Sequence, residues 1–217
     1  SAEGGESFRV GSEALQRAAR SALALLDDRT RRVLDARYGI SSGMPKTLQA
    51  VGDMEDITRE RVRQLTQGVL KNLQSGSLRL PSETEETRAT VRAVLEYFGG
   101  VALEETLLSY LGGTVEGDLA ALRFLLFSLQ GVTPARETQR TNTHWTLVRS
   151  PLPRSEEEPL ALEIVLEAAE TFLGTSGRLL TDDEFLSALR RELPAPLSEA
   201  ALRSFLSVAK RVIRTSL

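Results

Sequence analysis

Cysteine is absent from all 217 residues, which rules out a disulfide framework and any thiolate metal site. Histidine and tryptophan occur once each, as His144 and Trp145, and one histidine without a neighbouring carboxylate cluster cannot build a metal centre. Aromatic residues make up only 5%, which favours small helical units packed with Leu, Ala and Val over a large β-sandwich. Long apolar runs are missing too. The run FLLF at Phe124 to Phe127 is far too short to cross a bilayer, and no signal-peptide pattern opens the chain, so a cytoplasmic protein without membrane contact is expected. No serine lies in a nucleophile-elbow pattern, and no Gly-rich strand-to-helix turn could cradle a nucleotide. The acidic run Glu156 to Glu158 reads as solvated linker. Neither an enzyme nor a cofactor or metal is expected. Excess positive charge is also lacking. With a net charge of −3 and a pI near 5.5, the surface cannot coat nucleic acid indiscriminately, so any DNA contact must be local.

What is present centres on Thr47 to Leu73, TLQAVGDMEDITRERVRQLTQGVLKNL. Thr47 is placed to cap a short helix with Leu48 and Val51 on its apolar side, and Gly52 is expected to open a polar connection ending at Ile57. Thr58 then offers its hydroxyl to the free N–H groups of a second helix. At 100° per residue, Val62, Leu65, Val69 and Leu73 share one side, while Glu60, Arg63, Gln64, Gln67 and Lys71 point away. This pattern predicts a helix-turn-helix with a polar outer face. Arginine reads guanine bidentately, glutamine pairs with adenine and glutamate accepts from cytosine, and Arg59, Glu60, Arg63 and Gln64 supply all three. The helix N-terminus adds a docking point for phosphate. The same residues would also make an ordinary solvated Arg/Glu face.

VLDARYGI at Val33 to Ile40, TLQAVG at Thr47 to Gly52 and above all ITRERVRQL at Ile57 to Leu65 resemble region 4, the C-terminal promoter-recognition region of housekeeping-type bacterial sigma factors. The resemblance runs from Leu26 to Leu73. It implies that Thr58 caps a recognition helix and that Arg59, Glu60, Arg61, Arg63 and Gln64 contact the upstream promoter hexamer. It also implies a docking contact with the flap of the RNA polymerase β subunit. One departure stands out: Glu55 occupies the turn position where the family has a large apolar residue. Nothing in the chain resembles the separate sigma region that recognises and melts the downstream hexamer, so a complete sigma factor is not expected.

Around this segment the periodicities predict a mainly α protein. Residues 1–11 lack pattern. From Ser12 a helix carries Leu15, Ala18, Ala19, Ala22, Leu25 and Leu26 on one side, and Asp27 or Asp28 starts another with Val33, Leu34 and Tyr38, ended by Gly39. These complete a helix-turn-helix domain over 12–75. After the linker QSGSLRLPSETEE, with a capping-box spacing from Ser82 to Glu85, three helices are expected: near Glu83 to Phe98, Leu103 to Leu111 and Val115 to Leu129. The stretch VTPARETQRTNTHWTLV follows as a two-stranded hairpin, so 82–150 reads as a winged helix with Trp145 packed inward and His144 facing water.

Beyond a second linker, RSPLPRSEEEP, the order recurs over 159–217. A helix runs from Leu162 to Leu173, GRLLT is a short extended piece, and Thr181 and Glu184 form a capping box. Ser198 caps a last helix carrying Leu202, Phe205, Leu206, Ala209 and Ile213. The chain stops where a wing would begin, so this second winged-helix-like unit is expected to be incomplete.

The third helix of the middle unit has Arg123 as its only cation and is apolar nearly all round. Ala121, Leu122, Leu125 and Leu129 should therefore be covered by a neighbouring unit, a partner protein or a second copy. Thr47, Arg203, Lys210, Arg211 and Arg214 are further candidates for phosphate contact, the last four as a strip on the final helix, although a solvated face fits them equally. The functional expectation is sequence-specific binding of double-stranded DNA in transcription, with Thr58, Arg59, Glu60, Arg61, Arg63, Gln64, Gln67 and Lys71 as the contact set. The alternatives are an RNA polymerase-binding adaptor or anti-sigma-like competitor, and the DNA-sensing part of a larger nuclease or helicase.

Overall fold

A computed structural model describes residues 8–148, 161–176, 180–193 and 197–210. The chain is mainly helical, and its backbone divides into two compact units, 1–94 with 105–132 and 95–104 with 133–217.

The first unit opens with α1 (Gly11–Ala24), α2 (Asp28–Tyr38), α3 (Leu48–Glu55) and α4 (Arg59–Gln74). Leu15, Ala18, Ala19 and Ala22 form the buried stripe of α1 as expected, but the helix stops at Ala24 and Leu25 turns outward, 45% exposed. Asp27 caps α2 by accepting the Thr30 N–H at 3.0 Å. Gly39 closes α2 at φ 72°, a left-handed conformation that glycine adopts without Cβ strain, and a Cβ there would lie 2.4 Å from the Met44 carbonyl carbon.

α5 (Ser82–Tyr97) starts one residue earlier than its capping spacing suggests. The Thr84 and Glu85 amides donate to the Pro81 carbonyl, at 3.0 and 3.1 Å, and the Glu85 carboxylate turns to Arg88 instead. α6 (Glu104–Leu111) and α7 (Val115–Phe127) follow. The covering expected for α7 comes from within its own unit, because α7 packs on α1 and α2. Ala121, Leu122 and Leu125 are fully buried and Leu129 nearly so, and Tyr38 meets Phe124 and Phe127 at ring-centroid distances of 5.4 and 5.7 Å. No second copy is needed to explain this apolar helix. Each large apolar side chain buried here contributes about 1.5–3 kcal/mol relative to exposure.

One polar group is locked into this contact. Asp118 is wholly buried and accepts from the Ser12 hydroxyl at 2.8 Å, the Gln16 amide at 3.0 Å and the Thr114 N–H at 2.8 Å. Burial alone pushes its carboxyl up, but these donors outweigh the desolvation and hold it below the ordinary 3.8.

The second unit carries β1 (Val101–Ala102) and nearly all of the hairpin β2 (Val132–Ala135) and β3 (His144–Leu147), in a sheet of order β1-β3-β2. β1 has no sequence signature. It pairs antiparallel with β3, placing Val101 opposite Thr146 and Ala102 opposite Trp145. Trp145 is buried and donates its indole N–H to Glu104 at 3.0 Å. His144 does not face water: it is buried, with its Nδ1–H donating to the Asn142 carbonyl at 2.7 Å, so the inward side chains of β3 do not simply alternate.

α8 (Ala161–Ser176), α9 (Asp182–Glu192) and α10 (Glu199–Val208) build the rest of this unit around Val165, Leu166, Ala169, Leu189, Leu202 and Phe205. The Thr181–Glu184 capping box and the Ser198 cap form as expected. α10, however, ends at Val208. The chain then becomes extended, with Ala209 bridging Thr141, the Asn142 N–H donating to the Val208 carbonyl at 2.8 Å and the Lys210 N–H to the Arg140 carbonyl at 2.9 Å. Ala209 therefore does not extend the helical stripe. Ile213, most of GRLLT and the second linker lie outside the described residues.

Candidate nucleic-acid interface

The local sequence sets up α3 and α4 as a pair. Thr47 accepts the Ala50 N–H at 3.1 Å and Thr58 the Arg61 N–H at 3.1 Å, so each helix begins with a side-chain cap. Gly52 does not open the turn. It lies inside α3, which continues to Glu55, and its role is close approach: a Cβ would sit 2.6 Å from the Ile57 carbonyl oxygen. The reversal itself falls on Asp56, left-handed at φ 52°, whose N–H returns to the Gly52 carbonyl. Val51, Val62, Val69 and Leu73 are buried and Leu65 partly so. Thr66 joins the buried face, its hydroxyl satisfied by the Val62 carbonyl at 2.9 Å, which explains how a polar residue sits on the apolar stripe.

The opposite face of α4 is exposed throughout, with Arg59, Glu60, Arg61, Arg63, Gln64, Gln67 and Lys71 all open to solvent. Four of them form one network. Arg63 pairs bidentately with Glu60, at 2.8 and 2.6 Å, and donates to Gln67 at 2.8 Å, while Gln64 donates to Glu60 at 3.2 Å. The Arg63 guanidinium holds the Glu60 carboxyl below its usual range and is itself raised by the pair. Arg59, Arg61 and Lys71 make no side-chain hydrogen bond or ion pair among the described residues. The face therefore presents three uncommitted cations around a hydrogen-bonding cluster whose donors and acceptors are held ready and mutually neutralised.

Glu55, the departure in the turn, is held rather than loose. Its side chain is 12% exposed and takes a bidentate contact from Arg32, at 2.9 and 2.8 Å, while Arg29 donates to its backbone carbonyl at 2.7 Å. Arg32 keeps the Glu55 carboxyl below its ordinary value. An ion pair from α2 thus secures the end of α3, across 23 residues that no local spacing connects.

These are the features of a helix-turn-helix, and the Sigma-70, region 4 family matches residues 22–75. This segment is a sigma region 4 domain. It is similar to the RNA polymerase principal sigma factor HrdD of Streptomyces griseus, 46% identical over 48 residues, and to the RNA polymerase sigma factor SigA1 of Synechococcus elongatus, 43% identical over 51 residues. Those alignments cover 22% and 24% of this chain and 14% and 13% of the relatives, so the chain spans only a small part of their length. No solved structure matches the chain.

The other described candidates, Arg203 and Lys210, belong to the second unit. Arg203 is engaged by Glu199 at 2.8 Å and by Asp183 and Asp182 at 3.5 and 3.8 Å, and Lys210, beyond the end of α10, pairs with Glu137. The two do not share a helix face, and Arg211 and Arg214 lie outside the described residues. Among the described residues no group of three or more His, Cys, Asp or Glu side chains is arranged to hold a metal ion, and no helix is long and apolar enough to cross a membrane.

Proposed function

We propose that the chain is a non-catalytic, transcription-related protein whose region 4 domain binds promoter-like duplex DNA through α4. The observation that carries this reading is the exposed face of α4, where Arg59, Arg61 and Lys71 stand uncommitted around Glu60, Arg63, Gln64 and Gln67. Thr58 spends its hydroxyl on capping, which leaves the first turn of α4 with free N–H groups aimed outward, a docking point for a phosphate. The uncommitted cations supply the electrostatic contact, and Thr47 at the start of α3 is a further candidate for the backbone. Base reading then requires Arg63 and Glu60 to exchange their mutual pair for a guanine edge and a cytosine amino group. Such an exchange favours sequences that replace both partners and penalises those that leave one unpaired.

The order α5, β1, α6, α7, β2, β3 supports reading 82–150 as a winged-helix module, and three helices support a related module over 159–217. Because α7 is buried, the reading of DNA is assigned to α4 alone, and Arg203 and Lys210, engaged with carboxylates, are weaker phosphate contacts than the strip suggested.

The test is a salt titration of the whole chain on duplex carrying a sigma-type upstream hexamer and on scrambled duplex. The hexamer should bind more tightly, and Arg63→Ala should lower affinity by about 1–3 kcal/mol while relaxing base preference. Equal binding of both duplexes by the unaltered protein defeats base readout. It would shift weight to the second reading, an adaptor on RNA polymerase, for which the β-subunit flap is the candidate contact. The surface that would serve such a contact is a shallow groove of mixed character, where Leu25, Leu26, Leu65 and Val69 lie beside Asp27, Thr30, Asn72 and the DNA-contact candidates Arg61 and Gln64.

A further inference from the structure

Arg88 is a buried cation that no sequence pattern singles out. It lies on α5, 7% exposed, and every nitrogen of its guanidinium is spoken for. Nε donates to the Ser128 hydroxyl at 3.0 Å, Nη1 to both Glu85 oxygens at 2.8 and 2.7 Å, and Nη2 to the Ser128 carbonyl at 2.7 Å and the Leu73 carbonyl at 3.2 Å. The two carbonyls belong to the C-terminal ends of α4 and α7, where the helix dipole gathers partial negative charge; that of Leu73 also accepts the Gly76 N–H at 3.3 Å. Gln74, the last residue of α4, adds a second tie by donating to the Phe127 carbonyl at 2.8 Å.

We propose that Arg88 is a positioning residue for DNA recognition: it pins the C-terminal end of α4 to α7 and so fixes the pose in which α4 presents Arg59 to Lys71. The inference rests on the DNA-binding reading. α4 is held at its start by the Thr58 turn, secured through Glu55 and Arg32, and at its end by Arg88 and Gln74. Sliding or swinging the helix would break the Leu73 contact and leave one buried Nη2 N–H of Arg88 without its acceptor, while Glu85 and Ser128 keep the rest of the guanidinium in place on α5 and α7. α7, itself anchored by its apolar face on α1 and α2, is the fixed point of this brace. Base-edge contacts tolerate little misplacement, so a helix held at both ends enters the groove already in register, whereas one held at a single end would not. Residues well outside the sigma-like segment thereby control how selectively it reads.

The experiment compares the unaltered chain with Arg88→Met, which keeps the volume and removes the donors. Hexamer and scrambled duplex binding are measured together with hydrogen exchange over 69–76. Faster exchange confined to 69–76, with the preference for hexamer over scrambled duplex reduced about tenfold, the loss of roughly one bidentate base contact, is expected. An unchanged preference ratio in the folded variant, or unchanged exchange, overturns the proposal. Should Arg88→Met fail to fold, Gln74→Ala removes the second tie between α4 and α7 and leaves every Arg88 acceptor in place, and the same two readouts decide. If the unaltered chain shows no preference at all, the DNA reading has failed, and exchange over 69–76 then judges the pinning separately.

Discussion

α4 and α7 lie in the same compact unit and have been put to opposite uses. In α4 only Val62, Thr66, Val69 and Leu73 are buried, Leu65 and Leu70 flank them half-buried, and the outer face carries charge and amide groups. α7 is buried nearly all round, from Asp118 through Leu126, with Arg123 only partly exposed. The difference lies in what each face meets. A narrow apolar stripe lets a helix rest on its neighbours while its outer side stays free for a ligand, whereas a helix apolar on every side must be enclosed. In the winged-helix reading proposed for 82–150, α7 is the helix that would read DNA; buried against α1 and α2, it serves as a wall for them instead. Position in a motif does not decide use; the residues on each face do.

The sharpest way to break this comparison is at the wall. Phe124→Ala should cost about 3–5 kcal/mol of unfolding free energy by urea denaturation, because the ring is fully buried and its cavity would open beside Tyr38 of α2. Its salt dependence on DNA, measured below the unfolding transition, should match the unaltered chain, since α4 keeps its cations. Arg63→Ala is the mirror image, expected to weaken binding while leaving stability within about 0.5 kcal/mol.

A smaller effect is expected at Asp118, the polar tie between α1 and α7. Replacing it with Asn removes a charge-assisted acceptor and should cost about 1.5–3 kcal/mol. The pH dependence carries a sign. The folded carboxyl lies below its ordinary value of 3.8, so its stabilisation is fully present above the unfolded pKa and is lost as pH falls through the lowered folded one. Stability measured by chemical denaturation between pH 6 and about pH 3 should therefore fall less in Asp118→Asn than in the unaltered chain. Parallel curves would remove this carboxylate from the acid response.

The smallest effect separates helix start from helix face. Thr58→Ala should destabilise the chain by about 1 kcal/mol through the lost cap, and should also weaken phosphate docking at the first turn of α4. Thr47→Ala, which removes the equivalent cap on α3, should match the stability loss with less effect on binding. Equal binding losses in both would make α3 as much a part of the DNA contact as α4.

Much of this protein was legible from spacing. The caps at Asp27, Thr47, Thr58, Thr181 and Ser198 and the apolar stripes of α1 and α4 follow from side-chain chemistry acting within one or two turns, which a linear sequence displays directly. The polar face of α4 was legible for the same reason. β1, by contrast, is two residues long and exists only because β3 supplies its hydrogen bonds. The helical stripe expected through Ala209 gave way because backbone groups at Arg140 to Asn142 offered the chain an extended partner once α10 had ended.

The sequence by itself determined that this chain is built of helices, where most of them begin, and that one helix carries a face suited to nucleic acid. The tertiary structure alone decided what covers α7, that His144 turns inward, that Glu55 is satisfied by Arg32, and that Arg88 binds the ends of two helices 55 residues apart, at Leu73 and Ser128. The physical reason is range: capping and periodicity act over a few residues, whereas burial and the pairing of buried charge depend on which distant segments the fold brings together.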